Sequence, residues 1–554
     1  MRLRDILPEH CILHGDIDRE VNGISYDSRK VKTGDIFVAI KGEHLDGHDF
    51  IEDAIKNGAV AIGYERETKA ISEYRRKYHH ASWIKIRDSR DAIAALSQNF
   101  YGRPSEELSV IGITGTNGKT TTSYLLKSIL EKSGQDVGLV GTIAYLIKDV
   151  AREASHTTPE SPDFQLLLRE MANKGCRHVI TEVSSHSLLQ KRVDYTRFKV
   201  AVFTNLTRDH LDYHETMEDY FKAKSKLFTE LLSDNGSAIV NRDDPYGEKL
   251  ITLLEEQRGK SAKLKRRPDG EDGDLVPQSI RIVTYSLKHR NADIYAFDIR
   301  TTFKGSLFKL KSTVCDQVLE DEIFSPLVGI KNVYNVLSAI SAALSLAVPL
   351  SAIKEGIARL DVVKGRLEKV DLGQKFLAVV DYAHTEDALE GLLLTARHLL
   401  GISTSGETIA GAARSRENLF PQPKNGKGGK IITVFGCGGN RDRGKRPMMG
   451  DIAVRLSDFV IVTSDNPRDE EPQGIMRDIE QGMKADNYVV IQDRGVAINM
   501  AVDLASPGDI LLVAGKGHEE YQEIRGTRHP FSDKVTLENA IKRVMSKTTF
   551  RSNC

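Results

Sequence analysis

Ile111-Gly-Ile-Thr-Gly-Thr-Asn-Gly-Lys-Thr-Thr-Thr122 sets a glycine-rich turn between an apolar, β-branched run and a stretch of helical character. Glycines at 112, 115 and 118 let the backbone approach an anion and aim its N–H groups at phosphate oxygens. Lys119 is placed to reach the β- and γ-phosphates of a nucleoside triphosphate, and the Thr120 hydroxyl to ligate Mg²⁺. The strict phosphate-loop pattern has glycine five residues before Gly118, where this chain has Ile113; the spacing is Gly-x-x-Gly-x-x-Gly-Lys-Thr instead. A tight packing turn is the competing reading, and Lys-Thr at its end argues against it.

The surrounding chain has 554 residues, more than one hydrophobic core usually supports, so several domains are expected. Lys plus Arg and Asp plus Glu balance at 78 each, which leaves no bulk field to draw nucleic acid or an anionic membrane; neither is an expected partner. Five dispersed cysteines with no Cys-x-x-Cys spacing suit a reducing cytosol. The opening Met1-Arg-Leu-Arg-Asp-Ile-Leu-Pro8 lacks the apolar core of a signal peptide, and the apolar tract Val336–Ile353 is broken by serines and Pro349. A cytoplasmic location is the expectation.

Strand-like runs alternate with helical stretches on both sides of the loop. Residues 1–104 mix short β-rich runs (36–40, 59–63) with helical patterns, and Gly102–Glu107 reads as a linker. Residues 105–349 continue from the loop with strands at 137–142, 178–183, 199–204 and 237–241. From 350 to 554 the alternation restarts, with runs at 376–381, 430–435, 458–463, 488–491 and 509–514. Such alternation predicts an α/β fold: a small mixed N-terminal domain, a central phosphate-loop ATPase with a mostly parallel sheet, and a Rossmann-like C-terminal domain. Ligands of such sheets gather at the carboxyl ends of the strands. Two stretches, 255–279 and 401–429, fit no packed layer and read as mobile surface insertions, and there is no internal repeat.

Several polar clusters fall at those strand ends. Glu182 ends His178-Val-Ile-Thr-Glu-Val183, on the same sheet edge as the phosphate loop, where a carboxylate could hold Mg²⁺ between phosphates. Asp209, His210, Asp212 and His214 lie within six residues after the next strand, a set that can bind metal or merely solvate a turn. Tyr220-Phe-Lys-Ala-Lys-Ser-Lys-Leu-Phe228 is helical, and Lys222 and Lys226 read as a basic solvated face. In the last domain three polar turns follow three strands: Gly436–Arg446, Asp465-Asn-Pro-Arg468 and Gly515-Lys-Gly-His-Glu519. Their convergence is how a polar substrate pocket is built.

Taken together these stretches resemble the Mur ligases of peptidoglycan synthesis. The resemblance runs nearly end to end and is carried by Tyr26-Asp-Ser-Arg29, Gly34–Ala39, Gly112–Thr122, Thr157-Thr-Pro159, Glu182–His186, Thr204–Asp212, Asn332-Val-Tyr-Asn335, Gly365-Arg366, Asp381-Tyr-Ala-His384, and the three C-terminal turns. It implies a UDP-binding domain, a central ATPase and an amino-acid-binding domain. It further implies catalytic roles for Lys119, Glu182, His210 and Lys224, the last carried by family members as a carbamate. Nucleotide would meet Gly115, Thr116, Asn117, Gly118, Lys119, Thr120, Thr121, Asn335 and Arg366. A UDP-muramoyl dipeptide would meet Ser28, Asn117, Thr157, Thr158, Ser184 and Arg192. Diaminopimelate would meet Arg441, Asp465, Asn466, Arg468, Gly515 and Glu519, and Asp381 and His384 would line the closed cleft. Two Mg²⁺ ions are implied, one at Thr120 and Glu182 and one at His210 and Lys224, with ATP as co-substrate.

The implied reaction is addition of meso-diaminopimelate to UDP-N-acetylmuramoyl-L-alanyl-D-glutamate, by a monomer. A carboxylate is a poor electrophile, so ATP first phosphorylates it; the incoming amine then attacks the acyl phosphate and expels phosphate. Lysine carbamate supplies the anionic oxygen that Mg²⁺ prefers and an ammonium cannot supply. Two departures from the family are visible: Glu386 where proline is common, and the length of 401–429. The alternatives are folylpolyglutamate synthetase, which lacks the N-terminal domain that Asp27-Ser-Arg29 marks here, and a nucleotide-dependent scaffold without ligase activity.

Overall fold

A computed structural model of the protein describes residues 1–8, 11–42, 45–264, 280–314, 318–402 and 429–552. Three sheets organise it, five-, eleven- and six-stranded, with a separate two-stranded ribbon near the C-terminus. Among the described residues no helix is long and apolar enough to cross a membrane.

The phosphate-loop strand Ser109–Thr114 lies inside the eleven-stranded sheet, between Phe198–Phe203 and His178–Glu182, both parallel to it. Its side chains are apolar on both faces because helices cover both faces, the arrangement that makes parallel strands read as continuous hydrophobic runs. On one face the helix Lys119–Lys132 packs with Ile330–Ser345 and Leu350–Arg359 through Ile129, Leu125, Ile340 and Ile353. On the other, Phe164, Leu168, Phe203 and Phe228 form a second core. Ile353 and Ile357 therefore belong to the central core although they follow residue 349. Gly356 lies directly against the Ile129 backbone, and a Cβ there would meet Ile129 Cα at 2.5 Å.

The central sheet is less uniformly parallel than the sequence pattern suggests. Ile294–Thr302, Gly305–Ser312 and Leu319–Ser325 extend one edge as an antiparallel meander, and Ala144–Ile147 with Val150–Glu153 extend the other. The strand Leu319-Glu-Asp-Glu-Ile-Phe-Ser325 is charged on its exposed face, which hid it from a search for apolar runs. The six-stranded sheet is parallel from Leu377–Asp381 to Tyr488–Val490, with Glu368–Val370 antiparallel at its edge. In the N-terminal sheet the strands Gly23–Ser25 to Ser82–Lys85 are parallel and Ile12–His14 pairs antiparallel at the edge.

The expected linker at Gly102–Glu107 is pinned. Arg169 donates to the carbonyls of Tyr101 and Gly102 and to Glu107. Of the expected insertions, residues 255–264 continue the helix Pro245–Leu264, while 265–279 and 403–428 lie outside the described residues.

Candidate active site

The strand ends gather the polar residues. Gly115 has φ +147° and Gly118, the N-cap of the helix, +89°; a side chain at either would strike Thr204 Oγ1 or Asn335 Oδ1. Only glycine fits such backbone. Lys119 folds back so that Nζ donates to the carbonyls of Gly115 (2.9 Å) and Thr116 (3.0 Å). Burial pushes its amine below the usual lysine range, with Glu182 opposing. The Asn117 N–H donates to Asn205 Oδ1 and its side-chain amide to Asp387 Oδ2 (3.0 Å), across to the C-terminal sheet's first long helix, Glu386–Leu399. Thr116 and Thr121 are buried, and Thr116 Oγ1 donates to the Thr207 carbonyl.

Glu182 is fully buried. Its carboxylate accepts from Thr120 Oγ1 (2.9 Å), the Thr142 N–H (3.0 Å) and Thr142 Oγ1 (3.0 Å). Among the described residues no cationic side chain forms an ion pair with it. A buried carboxylate without a cation, beside a hydroxyl at a phosphate loop, is an oxygen donor set of the kind Mg²⁺ takes.

Thr157 Oγ1 lies 3.1 Å from Thr142 Oγ1, and Thr158 Oγ1 donates to the Glu182 carbonyl while accepting from the Ser184 N–H. Arg192 donates to the Thr158 carbonyl and pairs with Glu160 (2.9 Å). Thr157, Thr158, Ser184 and Arg192 thus surround one strand end. Ser28 is elsewhere, buried in the N-terminal domain, but the neighbouring Tyr26 hydroxyl donates to Asp163 of the central domain (2.7 Å) and brings that motif to the same seam.

Lys224 is buried in the helix Met217–Thr229, with Nζ donating to the Gly115 carbonyl (3.0 Å) and 4.7 Å from the Tyr220 ring centroid. Burial, and then the charge of Lys119, hold its amine well below the lysine range. His210 has φ +56° and its ring meets that of His186 edge-on at 4.9 Å. Burial drives His210 well below its usual range and His186 and His214 to about 4.

The four-residue acidic and histidine cluster does not form one metal site: among the described residues no group of three His, Cys, Asp or Glu is placed to hold an ion. His214 is core, stacked on Tyr220 and bonded to Ser185 Oγ (2.9 Å); Asp212 is exposed. Asp209 is buried and faces the third sheet. Burial opposes its charge, but Lys445, His210 and His384 hold its carboxyl well below the usual range. Lys226 corrects the solvated-face reading, since it pairs with Asp194 at 2.7 and 2.8 Å; Lys222 is exposed as expected.

From the other side of the cleft Arg366 reaches Thr120 Oγ1 (3.4 Å) and lies 4.6 Å from the Tyr382 ring centroid. Asn335 is held by Asn332 and packs against Gly118. Asp381 accepts the N–H groups of Leu367 and Ala383, and burial raises its carboxyl. His384 donates Nδ1–H to the Tyr382 carbonyl (2.7 Å), which leaves Nε2 3.9 Å from Asp209.

The three C-terminal turns do converge. Asn466 Nδ2 donates to Glu519 Oε2 (2.8 Å), and Arg468 donates to Glu523 (3.2 Å) and the Gly439 carbonyl (2.7 Å). Gly515, φ +117°, lies against Asp465, where a Cβ would meet Oδ2 at 2.5 Å. Arg441 is exposed on the first turn, near enough to His186 to bear on its charge.

Three charged groups of this region were not singled out from sequence. Lys516, fully buried, donates to both Asn466 Oδ1 and Glu519 Oε2 at 2.9 Å. Lys445, also buried, pairs with Asp209, and Arg208 pairs with Asp442 (3.2 Å). Glu386, the departure at the proline position, is buried with Oε2 unbonded, and burial raises its carboxyl against the pull of Arg208 and Lys445. Lysines inside glycine-rich turns are the signal that could have flagged the first two.

Comparison with known proteins matches three family descriptions in order: the Mur ligase family catalytic domain at residues 20–101, the Mur ligase middle domain at 113–270, and the Mur ligase glutamate ligase domain at 415–517. The UDP-N-acetylmuramoyl-L-alanyl-D-glutamate--2,6-diaminopimelate ligase of Caldanaerobacter subterraneus subsp. tengcongensis is 40% identical over 545 residues, 98% of this chain and 99% of its own. The protein of the same name from Bacillus licheniformis is 40% identical over 535 residues, 95% and 96% of the two chains. A solved structure under that name superposes with a TM-score of 0.62 at 32% identity, over 98% of this chain and 99% of its own.

Proposed function

The chain belongs to the Mur ligase family, and from that premise we propose that it adds meso-2,6-diaminopimelate to UDP-N-acetylmuramoyl-L-alanyl-D-glutamate in an ATP-dependent amide ligation. The setting is cytoplasmic peptidoglycan precursor synthesis. The observation that carries the reading is the buried Glu182 carboxylate bonded to Thr120 at the phosphate loop, with Arg366 reaching the same Thr120 hydroxyl across the cleft.

Lys119, released from its loop carbonyls by a bound nucleotide, meets the β- and γ-phosphates, and Asn335 and Arg366 flank the nucleotide. Thr157, Thr158, Ser184 and Arg192 hold the muramoyl dipeptide, whose uridine end reaches Ser28. Thr120 and Glu182 would hold one Mg²⁺, and His210 with carbamylated Lys224 a second; bound there, the ions neutralise phosphate oxygens during transfer. The buried amine of Lys224, held well below the usual lysine range by burial, supports carbamylation, because only an unprotonated amine adds CO₂. The γ-phosphoryl group passes to the glutamyl carboxylate. The diaminopimelate amine then attacks the acyl carbon, phosphate leaves, and the amine's proton is lost. Arg441, Asp465, Asn466, Arg468, Gly515 and Glu519 hold the far end of diaminopimelate. Excluding water matters, because acyl phosphates hydrolyse.

The proposed division is 1–104, 105–349 and 350–554; the helix Leu350–Arg359, which opens the last segment, packs into the central core. The test is phosphate release and amide formation with the UDP-muramoyl dipeptide and a panel of amino acids. Amide formed only with diaminopimelate supports the reading; ATP turnover without any amide product sinks it.

A further inference from the structure

Two consecutive residues of the central sheet's loop, Arg208 and Asp209, reach across the cleft to the glycine-rich turn of the last domain. Arg208 meets Asp442 through Nε (3.2 Å) and Nη2 (3.4 Å), and Lys445 Nζ meets Asp209 Oδ1 (3.4 Å). The polarities are crossed: one side presents cation then anion, the other anion then cation. A register slip would place like charges together, so the pair admits one docked arrangement.

Lys445 is costly where it is. It is the first residue of the helix Lys445–Leu456, where the helix dipole disfavours a cation, and that first turn holds no acid. Its side chain is only 6% exposed, and so is that of its partner Asp209. A buried ammonium at a helix N-terminus persists only when a specific anion holds it. That anion comes from the other domain.

Asp209 is also what shapes the next residue. Its Oδ1 accepts the backbone N–H of His210 (3.0 Å) and its Oδ2 lies 3.4 Å from His210 Nε2. His210 is held at φ +56°, a conformation uncommon for residues other than glycine. One carboxylate therefore joins the docked lysine to the backbone and ring of His210.

We propose that Lys445 is a positioning residue that, through Asp209, couples docking of the C-terminal domain to the orientation of His210, so that the acyl phosphate is consumed by the amine and not by water. The proposal rests on the ligase reading above. In the productive branch the amine nitrogen bonds the acyl carbon, the carbon–oxygen bond to phosphate breaks, and the amine loses a proton. In the wasteful branch water supplies the oxygen, and carboxylate plus phosphate result. The two branches release the same phosphate and differ in amide.

Phosphate and amide are measured in the same reaction for wild type, Lys445→Met, Lys445→Arg and Arg208→Met, at saturating substrates. Wild type gives one phosphate per amide. In Lys445→Met, kcat for amide formation should fall about ten- to a hundredfold, the range expected of a small misplacement. Its KM for ATP should change less than about threefold, and its phosphate-to-amide ratio should rise clearly above one. Lys445→Arg should bring the ratio part of the way back. Arg208→Met, at a half-exposed position, gives a second reading should Lys445→Met fail to fold, and its ratio should rise too. Ratios of one with unchanged kcat in correctly folded variants overturn the proposal. A wild-type protein that makes no amide overturns the ligase reading instead.

Discussion

Lys119 and Lys224 aim their amines at one atom, the carbonyl oxygen of Gly115, at 2.9 and 3.0 Å. Burial lowers both amines below the usual lysine range, and the charge of Lys119 lowers that of Lys224 further. Lys224 has no carboxylate partner in the ion pairs of the described residues. A buried lysine without an ion-pair partner, its amine held well below the usual range beside the phosphate loop, is a poor structural residue and a good candidate for covalent modification.

Lys224→Ala is expected to lose at least about a hundredfold in kcat, the scale of removing one electrostatic stabiliser from a transferring group. A short carboxylic acid able to occupy the vacated space should restore part of it. Wild-type turnover in this variant would reduce Lys224 to a packing residue. Intact mass at neutral pH, compared before and after acidification, checks the modification independently.

What was legible in the sequence follows from how each element earns its place. The strands around Ile111 and Val200 are buried on both faces, so their apolar runs were readable, and Glu182 was readable as a charge ending such a run. Strands facing solvent on one side, such as Leu319–Ser325 with its run Glu320-Asp-Glu322, interrupt the apolar pattern with charge and escape it. The site divided the same way. Lys119 and Thr120, at the end of the phosphate-loop turn, are legible as site residues. Residues whose role depends on a partner more than two hundred positions away, such as Lys445 on Asp209, are not, because no local pattern records the contact. Lys226 reads as solvated on sequence for a related reason: its partner Asp194 lies in a turn outside its helix, and nothing in the helix pattern records the pair.

Glu386 yields a pH-dependent prediction. Burial raises its carboxyl, with Arg208 and Lys445 opposing, so the folded protein binds this proton more tightly than the unfolded chain. Stability from a raised carboxyl is present at low pH and is lost as pH rises above the ordinary carboxylate range near 4.5. Glu386→Gln removes that loss. Its melting temperature should match wild type at pH 4 and exceed it by about 2–4 °C at pH 8, the shift that about 1 kcal/mol gives in a domain of this size. An equal difference at both pH values would show that the carboxyl titrates normally. Glu386 is the first helical residue after the Thr385 cap, so proline should also fold there.

Lys516 tests how the amino-acid pocket is held. Its amine bridges Asn466 Oδ1 and Glu519 Oε2, and Asn466 Nδ2 bonds the same Glu519 oxygen, closing a triangle. Glu519 is thereby fixed by one oxygen and free to meet a ligand ammonium with the other. Lys516→Met should raise KM for diaminopimelate about tenfold or more, as expected for losing a charged hydrogen bond, with KM for ATP nearly unchanged. Parallel increases for both substrates would mean a general loss of fold and not of pocket geometry.

The proposed selectivity for diaminopimelate turns on Arg468. Its backbone has φ +51°, its N–H donates to the Glu523 carbonyl, and its guanidinium is anchored by Glu523 Oε2 and the Gly439 carbonyl. These contacts leave the remaining guanidinium N–H groups for a ligand carboxylate, a planar match that lysine's ammonium could not offer. Diaminopimelate carries that second carboxylate; lysine does not. Because Arg468 keeps Glu523 when lysine binds, the penalty for lysine is the lost substrate bond alone and not a wholly unpartnered cation. A charged hydrogen bond is worth about 1.5–3 kcal/mol, or roughly ten- to a hundredfold. Diaminopimelate should therefore be preferred over lysine by at least about that factor in kcat/KM. Arg468→Ala should lower kcat/KM for diaminopimelate at least about tenfold, change that for lysine little, and leave KM for ATP unchanged. If the unmodified protein uses the two amino acids equally, the pocket reads something other than the second carboxylate, and the assignment of diaminopimelate fails with it.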